Sequence, residues 1–261
     1  MKWLSKSKLL IAVGVVMALG ACGQVSSGKS ASSTSPDDLI VFGAASLNTV
    51  LPDIAQQAFS PQSSGTSVRF NFNGSSSLVD QMSSGAPVDV LLTADEKNMK
   101  NAVSKGLVRD PQVFTSNTLV LVVPKANPAG ITGFSTSQLD GRKIVTCAKR
   151  VPCGRATDKL TALTKTTIHP VSEEQSVTDV VGKVTSGEAD AGIVYKTDAK
   201  LAGDKVKTFE IPRSDEVVNR YMIAVAKDAP NPQQAAKFVD SVLSTRGQSL
   251  LQEYGFMKVA K

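Results

Sequence analysis

The sequence predicts an α/β fold of two lobes, each a mostly parallel sheet flanked by helices, with two strands that cross between the lobes. Three observations predict it. Short apolar runs of strand length alternate with amphipathic helical patterns. This alternation occurs in both halves of the chain, at about a hundred residues for each half. The 261 residues, 41% of them hydrophobic, are enough for two such cores.

The first half predicts the order β-α-β-α-β-α. Residues 39–42 form an apolar run suited to a buried strand, and 47–59 place apolar residues on one helical face. Val68, Phe70 and Phe72 alternate with polar residues, which is strand spacing. The remaining elements are a helix at 78–82, a strand at 88–92 and a helix at 95–104. In such a sheet, ligands bind where strands end and helices begin.

The second half repeats this alternation with different residues. We predict strands at 118–124, 143–146, 191–195 and 217–225, with helices at 154–163, 176–185, 232–243 and 247–254. Residues 118–124 and 217–225 are the candidate crossover strands. Lobe 1 then comprises residues 37–117 and 222–261, and lobe 2 comprises 118–221.

The first 36 residues predict export and a membrane anchor. Three lysines precede an apolar run at 9–19 that is too short to span a bilayer, so residues 1–21 are a predicted secretory leader. Its end, Leu19-Gly-Ala-Cys22, resembles the lipobox of bacterial lipoproteins, which implies lipidation of Cys22 and anchoring to the cell membrane. Residues 22–36 read as a serine-rich flexible tether. A phosphate-loop pattern at 23–30 lies in this tether without the flanking strand and helix that it requires.

Composition and charge exclude several function classes. The net charge is +6, but Lys2, Lys6 and Lys8 of the leader supply half of it, and the rest shows no basic stripe, so we expect no nucleic-acid partner. The body has one histidine, no Gly-x-Ser-x-Gly elbow, and no serine-x-x-lysine outside the leader and tether. We therefore expect a monomeric binding protein, with no enzymatic activity and no cofactor.

Two cysteines remain after Cys22 is assigned to lipid. Cys147 and Cys153 are six positions apart in a chain predicted to be exported, which favours a disulfide. A metal site is the alternative. Two thiols and the distant His169 are too few ligands for a closed tetrahedral site.

Six motifs in order resemble the periplasmic molybdate-binding proteins of ABC transporters, over residues 39–256. They are Phe42-Gly-Ala-Ala-Ser-Leu47, Asn73-Gly-Ser-Ser-Ser-Leu78, Gly85-Ala-Pro-Val-Asp-Val90 with Thr93-Ala-Asp95, Val151-Pro-Cys-Gly154, Gly192-Ile-Val-Tyr195 and Tyr254-Gly-Phe256. The resemblance implies a type II periplasmic-binding fold that captures a tetrahedral oxyanion between its lobes. It also implies delivery of that anion to the membrane permease of an ABC importer.

The resemblance implies five ligand contacts. Ser46, Ser75 and Tyr195 match hydroxyl donors, whereas Cys153 and Val177 match main-chain N–H donors. All five fall at a strand end or a predicted helix start, where unpaired N–H groups and the helix dipole favour an anion. If four helices converge there, their dipoles sum to about +2. The alternatives are that the two serines cap helices and that Tyr195 is an ordinary aromatic at a strand end.

The donor set also constrains the anion. Hydrogen phosphate carries a proton that needs an acceptor, and none of the five residues is acidic. We therefore expect molybdate, and tungstate as well because its size and charge are nearly the same. The alternative is a receptor of the same fold for sulfate or an organic acid. For an organic acid, Arg155 is the candidate carboxylate partner.

Overall fold

Two five-stranded sheets organise the part of the chain that this computed structural model describes, residues 38–63 and 65–258. The predicted leader, the lipidated Cys22 and the tether lie outside the described residues. The strands are β1 Leu39–Ala44, β2 Val68–Asn73, β3 Val90–Thr93, β4 Val108–Asn117, β5 Leu119–Pro124, β6 Ile144–Cys147, β7 Pro170–Glu174, β8 Ala191–Tyr195, β9 Val206–Glu210 and β10 Asn219–Ala226. The first sheet has the order β2-β1-β3-β10-β4, and the second has the order β7-β6-β8-β5-β9.

Helices follow most of the strands. The α-helices are α1 Val50–Ile54, α2 Ser75–Ser83, α3 Glu96–Ser104, α4 Thr136–Leu139, α5 Pro152–Thr164, α6 Val177–Thr185, α7 Lys196–Ala202, α8 Pro232–Leu243 and α9 Thr245–Glu253. A 3-10 helix, Ala45–Leu47, precedes α1, and a π-helical turn, Ala55–Phe59, extends it. Among the described residues, no helix combines the length and apolar content needed to cross a membrane.

The two-lobed α/β class is confirmed, but both sheets are mixed and not mostly parallel. In the first sheet β1 pairs in parallel with β2 and β3, whereas β10 pairs antiparallel with β3 and β4. The second sheet has the same arrangement, with β6 parallel to its two neighbours and β5 antiparallel to its own. The antiparallel half arises because β5 and β10 enter their sheets from the other sheet, without a helical crossover that would make them parallel.

The sequence patterns missed β4, β7 and β9. All three are edge strands, so one side of each has no strand partner. Charged and exposed residues therefore occupy much of β7 and β9. In β4, Pro111 and its charged neighbours interrupt the apolar sequence pattern. Edge strands of this kind lack the continuous apolar run by which the central strands were found.

The chain crosses between the sheets at two adjacent places. β4 ends at Asn117 and β5 begins at Leu119, so the outward crossing is a single residue. The return runs through residues 211–218, between β9 and β10. Asn219 is paired with Asn117, so the two crossings lie side by side. Each predicted crossover strand thus begins at a crossing and then lies within one sheet.

Candidate functional site

All five predicted ligand residues line one small cavity where loops of the two sheets meet. Ser46 and Ser75 come from the first sheet's side, and Cys153, Val177 and Tyr195 come from the second. The rest of the lining is Ala44, Ala45, Gly74, Ala94, Val151, Pro152 and Ser176. The open space is about 220 Å³ with adjoining solvent included. Only about 10 Å³ of it is open to a particle the size of a water molecule, which is room for about one water, so the cavity is far too small for a drug-sized ligand.

Helix starts surround the cavity. The first residues of α2, α5 and α6 lie in its wall, and these helices have 9, 13 and 9 residues. N–H groups in a first helical turn have no acceptor within the helix, and the helix dipole makes that end positive. The fourth predicted helix, after Ser46, does not begin in the wall: the segment at the cavity is a 3-10 helix of three residues, Ala45–Leu47, and α1 begins only at Val50. Three full α-helices therefore carry most of the dipole contribution, with about half a unit of charge each.

The two serines do not cap helices. Ser75 is the first residue of α2, whose N-cap is Gly74, and its Oγ accepts a hydrogen bond from the Ala94 N–H at 3.0 Å. The Oγ of Ser46 lies 2.8 Å from the Tyr221 hydroxyl oxygen. In both cases a protein group engages the serine oxygen beside the cavity. The capping alternative is therefore wrong for both residues.

Tyr195 places an unpaired hydroxyl in the wall. The side chain is 1% exposed, and its oxygen has no hydrogen-bond partner among the described residues. Burial raises the pKa of Tyr195 well above its usual value, so the hydroxyl keeps its proton. A buried O–H without an acceptor is costly. An anion in the cavity would supply that acceptor.

Cys147 and Cys153 form a disulfide at the start of α5. Cys153 is the second residue of that helix, so the bridge ties its N–H to the end of β6. The first turn of α5 packs closely against the loop between them, because a Cβ added to Gly154 would lie 2.0 Å from the Ala148 carbonyl oxygen. The disulfide therefore fixes the direction of one predicted N–H donor.

Replacing both cysteines, Cys147→Ala with Cys153→Ala, is expected to lower the free energy of unfolding by about 2 to 3 kcal/mol, because the unfolded chain is no longer cross-linked. Urea titration measures this loss. Reducing agent under denaturing conditions should destabilise the wild type to the same level and leave the variant unchanged. Equal unfolding midpoints for oxidised wild type and variant would contradict the prediction.

No charged side chain lines the cavity among the described residues. Arg155, the candidate partner for an organic acid, instead forms an ion pair with Asp95, and its Nε lies 3.1 Å from the Asp95 Oδ2. Asp95 also caps α3 by accepting from the Asn98 N–H. This ion pair joins the two sides of the cleft beside the cavity. Within residues 38–63 and 65–258, no cluster of three or more His, Cys, Asp or Glu forms a cation site.

The fold and this cavity define a class, the two-lobed binding proteins that hold a small solute between their lobes. The family model of the bacterial extracellular solute-binding proteins matches residues 39–257, and the chain belongs to that family.

Relatives narrow the comparison. The chain is 38% identical to the molybdate-binding protein ModA of Mycobacterium tuberculosis over 261 residues, which covers 99% of this chain and all of that one. It is 30% identical to ModA of Escherichia coli over 84% of this chain and 88% of that one. The periplasmic molybdate-binding protein of Azotobacter vinelandii superposes with a TM-score of 0.68, covering 85% of this chain and 100% of that one. At 21% identity, that likeness concerns the fold alone.

Proposed function

We propose that this chain captures molybdate, and also tungstate, in the interlobe cavity and delivers it to the permease of an ABC importer. The supporting relatives are the molybdate-binding proteins of M. tuberculosis and E. coli. The observation that carries the proposal is the wall of the cavity, which joins hydroxyls and helix starts and has no charged side chain among the described residues. Such a wall suits an anion that needs only hydrogen-bond donors.

The same wall argues against the other anions. Hydrogen phosphate would bury an O–H with no carboxylate among the described lining residues to accept it. An organic acid would be expected to pair with an arginine, but Asp95 already occupies the guanidinium of Arg155. Sulfate is unprotonated and smaller, so it is the competing ligand that the experiment must separate.

In this proposal the ligand closes the two lobes. Ser46 and Ser75 would donate from lobe 1, the lobe built on the first sheet. The N–H groups of Cys153 and Val177 and the hydroxyl of Tyr195 would donate from lobe 2, the lobe built on the second sheet. One anion bonded to both sides favours the closed arrangement by its differential affinity. The leader at 1–21 and lipid on Cys22 would hold this monomeric body at the outer face of the cell membrane, near the permease.

A thermal-shift panel of molybdate, tungstate, sulfate and hydrogen phosphate tests the ligand. A ligand at a hundred times its Kd stabilises the folded chain by about 2.7 kcal/mol, so molybdate and tungstate should raise the melting temperature by several degrees. We expect no shift with hydrogen phosphate and a smaller one with sulfate. A larger shift with sulfate, or none with molybdate, would refute the proposal.

A further inference from the structure

We propose that Tyr221 is a positioning residue, which holds the Ser46 hydroxyl as a donor toward the anion and so makes the site select unprotonated oxyanions. This inference rests on the proposed function. Tyr221 does not line the cavity, and it acts through Ser46.

Tyr221 is held rigidly at the centre of the molecule. It lies on β10, opposite Thr115 of β4, and is fully buried. Three aromatic rings pack edge-on against it: Phe256 at 5.5 Å, Tyr195 at 5.8 Å and Phe114 at 6.2 Å between centroids. Its hydroxyl oxygen lies 2.8 Å from the Ser46 Oγ. Because the ring is enclosed on several sides, the position of the hydroxyl is fixed.

The direction of this hydrogen bond follows from which of the three groups, Tyr221, Ser46 and the anion, carry a proton. Burial raises the pKa of Tyr221 far above its usual value, so the phenol keeps its proton at any physiological pH. An unprotonated oxyanion can only accept, so Ser46 must use its single proton on the anion. The oxygen of Ser46 then accepts the proton of Tyr221. The result is a chain of hydrogen bonds from Tyr221 through Ser46 to the ligand.

The hydroxyl of Ser75 is oriented in the same way, with its oxygen accepting from the protein and its proton free for the ligand. Its oxygen accepts from the Ala94 N–H, a group that can only donate, so the Ser75 proton remains for the cavity. Each serine therefore receives a hydrogen bond from the protein on the first sheet's side. Hydrogen bonds arranged in series polarise one another, which strengthens the final donor.

Because both serine hydroxyls are held as donors, the site selects against protonated anions. With Tyr221 bonded, one lone pair of Ser46 is occupied and rotation of its hydroxyl is restricted. Hydrogen phosphate needs an acceptor, and Ser46 is held in the opposite role. Removing the phenol oxygen frees Ser46 to rotate and accept. The loss of affinity should therefore be larger for molybdate than for hydrogen phosphate.

A double-mutant cycle with Tyr221→Phe and Ser46→Ala tests the proposal, with molybdate affinity read by calorimetry. Tyr221→Phe keeps the packed ring and is expected to weaken molybdate binding about 3- to 10-fold. In the Ser46→Ala background the same change should lower molybdate affinity by less than about twofold, because the Ser46 hydroxyl that Tyr221 positions is absent. Tyr254→Phe is the matched control. It also removes a phenol that bonds a side chain, Asp53 at 2.6 Å, outside the cavity, and should leave affinity unchanged.

Displacement of molybdate by hydrogen phosphate, raised far above its concentration in the thermal-shift panel, gives a second readout. Positioning predicts that Tyr221→Phe narrows the affinity ratio between the two anions, whereas general distortion weakens both alike. The inference is overturned if Tyr221→Phe costs as much molybdate affinity with Ser46→Ala as without it. It is also overturned if Tyr221→Phe leaves the molybdate affinity unchanged, or leaves the ratio of molybdate to hydrogen phosphate affinity unchanged. If the wild type does not bind molybdate, the proposed function is wrong. The same cycle is then run with whichever unprotonated oxyanion raises the melting temperature, and it still decides the role of Tyr221.

Discussion

Gly74→Ala is expected to weaken anion binding by about 100-fold or more while the chain stays folded. A Cβ at this position would lie 2.1 Å from the Gln175 carbonyl oxygen, which belongs to the opposite side of the cleft. The backbone of Gly74, at φ −58° and ψ 137°, is open to any residue, so lobe 1 itself is not strained. The methyl group would therefore hold the two sides apart.

The position of this contact explains the size of the effect. Gly74 directly precedes Ser75, and Gln175 lies two residues before Val177, so the collision falls between two segments that line the cavity. A displacement of about 1 Å there is enough to cost roughly 100-fold in a site that depends on alignment. Calorimetric titration with molybdate measures the loss of affinity, and the melting temperature without ligand monitors folding.

Gly182→Ala is the matched control for this prediction. Gly182 lies inside α6 with no atom within 4 Å of an added Cβ. Alanine in a helix interior should stabilise the chain by about 0.5 to 1 kcal/mol and leave binding unchanged. Gly74→Ala with affinity within threefold of wild type would show that the two sides do not approach this closely when the anion is bound.

The sequence predicted the fold class because its central strands are apolar throughout. The run at 118–124 and the spacing at 191–195 identify β5 and β8, which are almost fully buried. Edge strands such as β9 have no comparable signal, since half of their residues face solvent. The antiparallel half of each sheet was missed for a related reason. Sequence periodicity locates a strand but does not show which strand becomes its partner.

The cavity was predictable only in part. The resemblance to the molybdate-binding family predicted five residues. Ser46, Ser75, Cys153 and Tyr195 stand in motifs that carry that resemblance, and Val177 matches a main-chain donor at a predicted helix start. Tyr221 stands in none of those motifs, and its approach to Ser46 spans 175 residues of sequence. The ion pair of Arg155 with Asp95 spans 60 residues. Contacts of this kind follow from the packing of the two sheets, which no local pattern records.

Tyr195→Phe is the second large effect, with molybdate binding expected to weaken by about 1 to 3 kcal/mol. The variant removes the one atom of this side chain that the structure leaves without a partner, and it keeps the ring against Tyr221. The unliganded protein should therefore be as stable as wild type or more so, because a buried unpaired hydroxyl is lost. Calorimetry with molybdate and a urea titration without it measure the two quantities.

Molybdate affinity and the free energy of unfolding together distinguish a hydroxyl that binds the ligand from one that supports the fold. A hydroxyl that supported the fold would reduce stability when removed, as we expect for Tyr254→Phe, whose phenol bonds Asp53. A hydroxyl held for the ligand costs stability until the anion arrives, so its removal should weaken binding alone. If Tyr195→Phe binds molybdate as wild type does, the anion does not contact this residue. The unpaired oxygen would then have to be satisfied by another group.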